Sequence, residues 1–233
     1  MKILCISDSH LYLNTYEREE KLLNLLRNED FDELILLGDI YDFWFEYKGF
    51  IPSYSIRFTS EVVNLSSKKI IHYVSGNHDA WIGDFWKGLG VNVYRYGFYK
   101  EIGGKKVFFT HGDYLLGNRS SKLIRKIFHN PLAMFLFKLI PVEVALALSG
   151  FLSYESRKRN EEPNLKKIED IMAREDADII ITGHLHIPLI KAFNGRVFIC
   201  VGDWMEHFTY LLIRDGEFIL KNNKGVILSR LKI

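Results

Sequence analysis

Five short clusters in the chain place Asp, Asn or His where an apolar run gives way to polar residues: Asp8-x-His10, Gly38-Asp39-x-x-Asp42, Gly76-Asn77-His78-Asp79, His111-Gly112-Asp113 and Gly183-His184-x-His186. A single Asp in such a place is ordinarily a helix cap, and a single His an ordinary core or surface residue. Five such clusters in this order point instead to coordination. Two divalent cations about 3.5–4 Å apart need several oxygen and nitrogen donors and one shared anion. Asp39, preceded by glycine, is the candidate bridge. Asp8, His10 and His186 are assigned to one ion, and Asn77, His111 and His184 to the other. Spacing leaves the order of His184 and His186 open, because residues two apart in extended chain can both face one site. The set contains no thiolate, so its donors suit Mn²⁺, Mg²⁺, Fe²⁺ or Zn²⁺.

Elements must bring these clusters together. Ile3 to Ser7, Leu34 to Leu37 and Ile70 to Ser75 are continuous apolar runs, with helical patterns at Tyr16 to Arg27 and Ser55 to Leu65 between them. Such runs predict strands covered on both faces, and ligands in open α/β sheets bind beyond the carboxyl ends of strands. After Tyr96 the pattern becomes hairpins: Phe98 to Ile102, a Gly103-Gly104 turn, and Lys106 to Thr110 leading into His111. Asp178 to Thr182 leads likewise into Gly183-His184, and further turns are predicted at Asn194-Gly195, Asp215-Gly216 and Asn222 to Gly225. Two sheets packed face to face, with helices outside, are therefore expected.

The 233 residues, 48% hydrophobic, suit one α/β domain spanning 1–233 with a helical insertion at about 118–174. Pro131, Pro141 and Gly150 break that insertion into short helices. Its apolar part is interrupted by Lys138, Pro141 and Glu143, too often for the roughly 20 residues of a membrane span. Net charge is only +2, yet residues 114–160 carry eight Lys or Arg against two Glu. Cations here accompany Leu132, Phe135, Leu136, Leu139, Val142, Leu146, Leu148 and Phe151, a composition for an acyl-chain groove or an anionic lipid surface. Nucleic-acid binding is not expected, since the rest of the chain lacks the broad basic excess it needs. Cys5 and Cys200 lie in apolar runs and read as small buried hydrophobes. The N-terminus reads as a strand, with no export signal, so a cytoplasmic location is expected, with peripheral contact at the inner face of the cytoplasmic membrane.

The five clusters resemble the signature of the calcineurin-like metallophosphoesterases, matching its seven ligand positions between Asp8 and His186. The resemblance implies a four-layer α-β-β-α sandwich and in-line attack on phosphorus. It gives the leaving group to His78, with Asp79 holding that imidazole, and makes His78, Asp79 and Asp39 the catalytic residues. Gly-Asp-Ile-Tyr-Asp-Phe-Trp (38–44), His-Asn-Pro (129–131), Ser156 followed by Asn160, and Val-Gly-Asp-Trp (201–204) are similar to the UDP-2,3-diacylglucosamine pyrophosphohydrolase family of lipid A synthesis. That closer resemblance implies a nucleotide-linked glycolipid substrate, hydrolysed to UMP and 2,3-diacylglucosamine 1-phosphate (lipid X), and manganese as the metal. It implies a helical lid, with substrate contacts at Asn77, His78, Ser156, Asn160 and His184. His78 stands where those enzymes usually carry Arg, and Leu115 to Arg119 replaces a Cys-containing acidic segment. The alternative reading is a phosphodiesterase for a soluble nucleotide or other small phosphoester. A non-catalytic module on the same fold is a third reading, against which stand all seven ligands and His78.

Overall fold

The computed structural model describes residues 1–46, 50–117, 126, 130–142, 144 and 164–233. Among the described residues, twelve strands form two sheets. The first has the order β12-β11-β10-β1-β2-β3-β4, with β1 (Lys2–Ile6), β2 (Glu33–Leu36), β3 (Ile70–Val74) and β4 (Asn92–Tyr94) parallel. Antiparallel β10 (Thr209–Arg214), β11 (Glu217–Asn222) and β12 (Ile227–Lys232) extend it. The second has the order β5-β6-β7-β9-β8, in which β6 (Lys105–Phe109), β7 (Ile179–Thr182) and β9 (Arg196–Cys200) run parallel. Its antiparallel edges are β5 (Phe98–Ile102) and β8 (Leu189–Phe193).

Alternation along each strand divides the core into layers. Leu4 and Ile6 of β1, with Leu34 and Leu36 of β2, face helices Tyr16–Asn28 and Ile56–Ser66, packing on Leu22, Leu26, Phe58 and Val62. Ile3 and Cys5, with Ile35, face inward against Val107, Phe109, Ile179, Ile181 and Ile199 of the second sheet. The far side of that sheet, Phe108, Ile180 and Phe198, is covered by Ile168, Ile171 and Met172 of helix Leu165–Arg174. The result is the expected α/β sandwich of two sheets and outer helices. Ile3 to Ile6, Leu34 to Leu36 and Ile71 to Val74 are buried on both faces, which is why these runs show no polar alternation.

One detail differs from the simplest reading of the sequence. Helix Leu165–Arg174, grouped with the insertion by its place in the chain, packs on a sheet as part of the outer layer. Pro131 opens a short helix, in keeping with its expected place at a break in the insertion. The helix Pro131–Phe137 begins with proline at its first position, and the Asn130 side chain caps it by accepting the N–H groups of Leu132 and Ala133. Cys5 and Cys200 are buried free thiols in different layers. Tyr41, Trp44, Phe45 and Trp86 are at most 2% exposed and belong to the core.

Candidate metal centre

The carboxyl ends of β1, β2 and β3 in the first sheet and of β6 and β7 in the second carry the five clusters. Backbone bonds continue beyond the strand ends and fix the loops to one another. Asp8 N–H donates to the Gly38 carbonyl at 3.1 Å, His10 N–H to the Asp39 carbonyl at 3.0 Å, and Gly183 N–H to the His111 carbonyl at 3.1 Å. Glycine is required by proximity: a Cβ on Gly76 would lie 2.1 Å from Asp39 Oδ1, and one on Gly183 2.4 Å from Asp8 Oδ2. Asp8, His10, Asp39, His184 and His186 all have positive φ, between 42° and 66°. Left-handed backbone at a non-glycine residue costs about 1–3 kcal/mol and persists where function requires it. Here it falls on five of the seven candidate ligands.

Among the described residues, donor atoms converge in three overlapping groups: Asp8 with His10 and His186, His10 with Asp39 and His78, and Asp8 with Asp39 and His111. On one side, Asp8 Oδ1 lies 3.1 Å from His186 Nε2, and His10 completes a cluster whose ligand atoms are all within 4.8 Å of one another. On the other, Asp39 Oδ2 is 3.4 Å from His111 Nε2, which is 3.3 Å from Asn77 Oδ1. The His184 ring rests against His111, with centroids 5.1 Å apart, and the His184 backbone N–H donates to Asp8 Oδ2 at 2.9 Å. Asp39 Oδ2 also lies 3.9 Å from His10 Nε2, so one oxygen stands between the groups. The structure thus places His186 with Asp8 and His10, and His184 beside His111.

These atoms fit a divalent cation. Two donors each about 2.1 Å from one ion and near right angles to each other are about 3 Å apart, the spacing found here. His10 Nε2 is buried without a hydrogen-bond partner among the described residues, although buried polar atoms are ordinarily satisfied. The opposite ring nitrogens are fixed from behind. His10 Nδ1 bonds Asp42 Oδ1 at 3.2 Å and His111 Nδ1 donates to the Leu37 carbonyl at 2.8 Å, leaving each Nε2 to face the centre.

Electrostatics point the same way. Burial would raise the carboxyl of Asp39, but the charges of His111 and His78 hold it well below the usual range. Burial likewise opposes ionisation of Asp8, and His186 overcomes it. Burial disfavours a proton on His111, yet the neighbouring Asp39 carboxylate raises its pKa to about 10. Burial and the His111 charge lower His184 to about 4. Without an ion, the cluster keeps its carboxylates charged by retaining a proton on His111. A cation would take that proton's place.

One expected role is corrected. Asp79 does not hold the His78 imidazole; its Oδ1 accepts Gly76 N–H at 2.6 Å, and its Oδ2 accepts Ile40 N–H at 2.9 Å and the Tyr73 hydroxyl at 2.6 Å. It ties the β2 and β3 loops together, and burial with the Asp39 charge raises its pKa to about 6. His78 is oriented by Asp42: its Nδ1 donates to the Asp42 carbonyl at 3.0 Å, while its backbone N–H donates to Asp39 Oδ1 at 2.8 Å. The ring stands edge-on to His10, with centroids 4.6 Å apart. Asp42 was visible in its cluster, but its service to His10 and His78 was not, nor was the service of Tyr73 to Asp79. Ser156 and Asn160, and with them those expected substrate contacts, lie outside the described residues.

Comparison with known proteins agrees with this geometry. A model of the family described as calcineurin-like phosphoesterase matches residues 1–188. The UDP-2,3-diacylglucosamine hydrolase of Porphyromonas gingivalis is 30% identical over 256 residues, covering 95% of this chain and 97% of that protein. That of Vibrio atlanticus is 26% identical, covering 96% and 98%. Among solved structures, Yfce, a phosphoesterase from E. coli, superposes with a TM-score of 0.56 at 16% identity, covering 100% of both chains, which is a likeness of fold. Paired carboxylates and imidazoles at strand ends, on this fold and within this match, lead to one assignment: the chain belongs to the calcineurin-like phosphoesterase family and is a metal-dependent hydrolase.

Proposed function

We propose that the chain hydrolyses the pyrophosphate of UDP-2,3-diacylglucosamine, giving UMP and 2,3-diacylglucosamine 1-phosphate. Two divalent cations, preferably manganese, would be held by Asp8, His10, Asp39, Asn77, His111, His184 and His186. The observation that carries the substrate reading is the apolar helix Pro131–Phe137. Phe137 packs against Phe43, Phe45 and Trp81 at centroid distances of 6.2, 4.7 and 4.7 Å. Leu132, Phe135 and Leu136 remain 66%, 59% and 54% exposed. Trp81 lies three residues beyond His78, and Trp44 N–H donates to the His78 carbonyl at 3.2 Å, so the aromatic wall holding this helix borders the candidate centre. Large exposed apolar side chains beside a phosphoester site suit acyl chains. In this reading the helix is part of a lid within 118–174. Exposed Lys126 and Lys138 nearby in the chain favour an anionic lipid surface. No helix among the described residues is long and apolar enough to cross a membrane. The near full-length similarity to enzymes named for this substrate supports the same conclusion.

Bound cations would supply Lewis-acid activation of water and of the phosphoryl oxygens. The chain's own contribution is orientation. Asp39 sets the distance between the donor groups through Oδ2. His78, with Nδ1 fixed on the Asp42 carbonyl, would offer its other nitrogen to the departing phosphate. Turnover of UDP-2,3-diacylglucosamine and of a simple aryl phosphodiester, measured with the same manganese loading, tests the reading. Release of UMP with strong preference for the glycolipid is expected; strong preference for the aryl ester would overturn it.

A further inference from the structure

Of the seven parallel strands, five end in candidate ligands, and β4 and β9 do not. The segment beyond β9 is the more elaborately built. Asp203 is 1% exposed, and its Oδ1 accepts the N–H groups of Met205, Glu206 and His207 at 2.6, 2.6 and 3.2 Å. Its Oδ2 takes His207 Nδ1 at 2.5 Å. Capping the turn occupies Oδ1 alone, so the second oxygen is free to hold the imidazole. The His207 side chain is 43% exposed, and its Nε2 has no partner among the described residues.

This turn is fixed to the loop carrying Asp8 and His10. Trp204 N–H donates to the Asp8 carbonyl at 3.1 Å, and the Ser7 hydroxyl donates to the Gly202 carbonyl at 3.1 Å. Trp204 Nε1–H donates to the Arg18 carbonyl at 3.2 Å, while the Arg18 guanidinium donates to the carbonyls of Ser9 and His10 at 3.0 and 3.1 Å. The apolar helix is anchored at the ends of β2 and β3, whereas the 203–207 turn meets the end of β1. The two features therefore flank the centre at different places.

We propose that Asp203 and His207 form a substrate-holding arm of the metal centre, in which His207, fixed through Nδ1, offers Nε2 to a phosphate or ribose oxygen of the nucleotide portion. The choice of nucleotide rests on the substrate proposed above. Asp203 is a positioning residue, acting through His207.

The test is UMP affinity of the manganese-loaded protein, measured by titration calorimetry beside turnover of UDP-2,3-diacylglucosamine. His207→Ala should weaken UMP binding about tenfold, the worth of one hydrogen bond, and raise KM more than it lowers kcat. His207→Gln, whose amide reaches a similar distance, should restore part of the loss. Asp203→Asn should weaken binding in the same direction; should it fail to fold, the two His207 variants carry the test. UMP affinity unchanged within twofold in His207→Ala, or no UMP binding by the unaltered protein, overturns the arm. Weakened UMP binding with no turnover of the glycolipid by the unaltered protein overturns the substrate reading and leaves the arm standing.

Discussion

Asp39 serves two purposes with two oxygens. Oδ1 accepts the His78 N–H and sets the loop that carries Asn77, while Oδ2 stands between His10 and His111. Asp39→Asn keeps an acceptor for the loop but removes the charge, so metal content by elemental analysis and turnover should both fall to background. A variant that retained metal and activity would refute the bridging role. His78→Ala should lower turnover by about 10²–10⁴ with metal content nearly intact; loss of metal would make His78 a ligand. The His111 pKa of about 10 predicts that the metal-free protein at pH 8 releases close to one proton as the ion binds. Calorimetry in buffers of different ionisation enthalpy reads that release directly. The ligand types were legible in the sequence because Asp, Asn and His beyond apolar runs have few other uses in such number. The partner of His78 was not, because neighbouring residues in a turn need not face the same way. Asp79 is directed into the core, and the role assigned to it falls to the backbone of Asp42, thirty-six residues away.

Segments rather than single side chains decide how closely the loops approach. Gly76 meets Asp39 with no room for a methyl group, so Gly76→Ala should displace the carboxylate and reduce metal affinity, with a stability loss of about 1–3 kcal/mol. Normal metal content and an unchanged melting temperature would show that the loop yields at no cost. The helix Pro131–Phe137 is tied to the body through Phe137. In Phe137→Ala it should lose its seat, lowering kcat/KM for the glycolipid at least tenfold while turnover of the aryl phosphodiester holds within about threefold. Equal losses on both substrates would remove the helix from the acyl site. Strand β4 went unread in the sequence because Asn92-Val93-Tyr94 is too short for a period to show. Helix Leu165–Arg174 was read as a helix, but its place in the fold depends on Phe108, Ile180 and Phe198, three distant segments that no local pattern identifies.

Across the whole molecule, charge is also built in far from the metal centre. His72 on β3 bonds the Tyr94 hydroxyl at 3.1 Å and Glu33 at 3.3 Å, while Lys100 from the second sheet bonds both Glu33 oxygens at 2.8 Å. Burial keeps the His72 pKa below its ordinary 6.5 despite the Glu33 beside it. The unfolded chain therefore binds this proton first as pH falls. The contribution is present above pH 6.5 and is lost below it, toward the lowered folded value. Urea unfolding of the metal-free protein should show stability falling from pH 7 to 5, with a smaller slope in His72→Phe; an identical slope would remove His72 from that role. The layered sandwich was legible from continuous apolar runs and turn residues. The two long-range ties, Glu33 to Lys100 and Trp204 to the Asp8 loop, were not, since each joins residues whose proximity only the folded chain creates.

Four candidate ligands, Asp8, His10, Asp39 and Asn77, project from the first sheet, and three, His111, His184 and His186, from the second. An ion held by both sets is a rivet through the sandwich. Because it has no comparable grip on the unfolded chain, each tenfold rise in free ion above its dissociation constant adds about 1.4 kcal/mol to the native state. Chelation would then silence the enzyme and loosen its two halves at once. A cell short of this metal would lose the protein to proteolysis as well as its activity, so the amount of enzyme would follow the supply of the ion it works with.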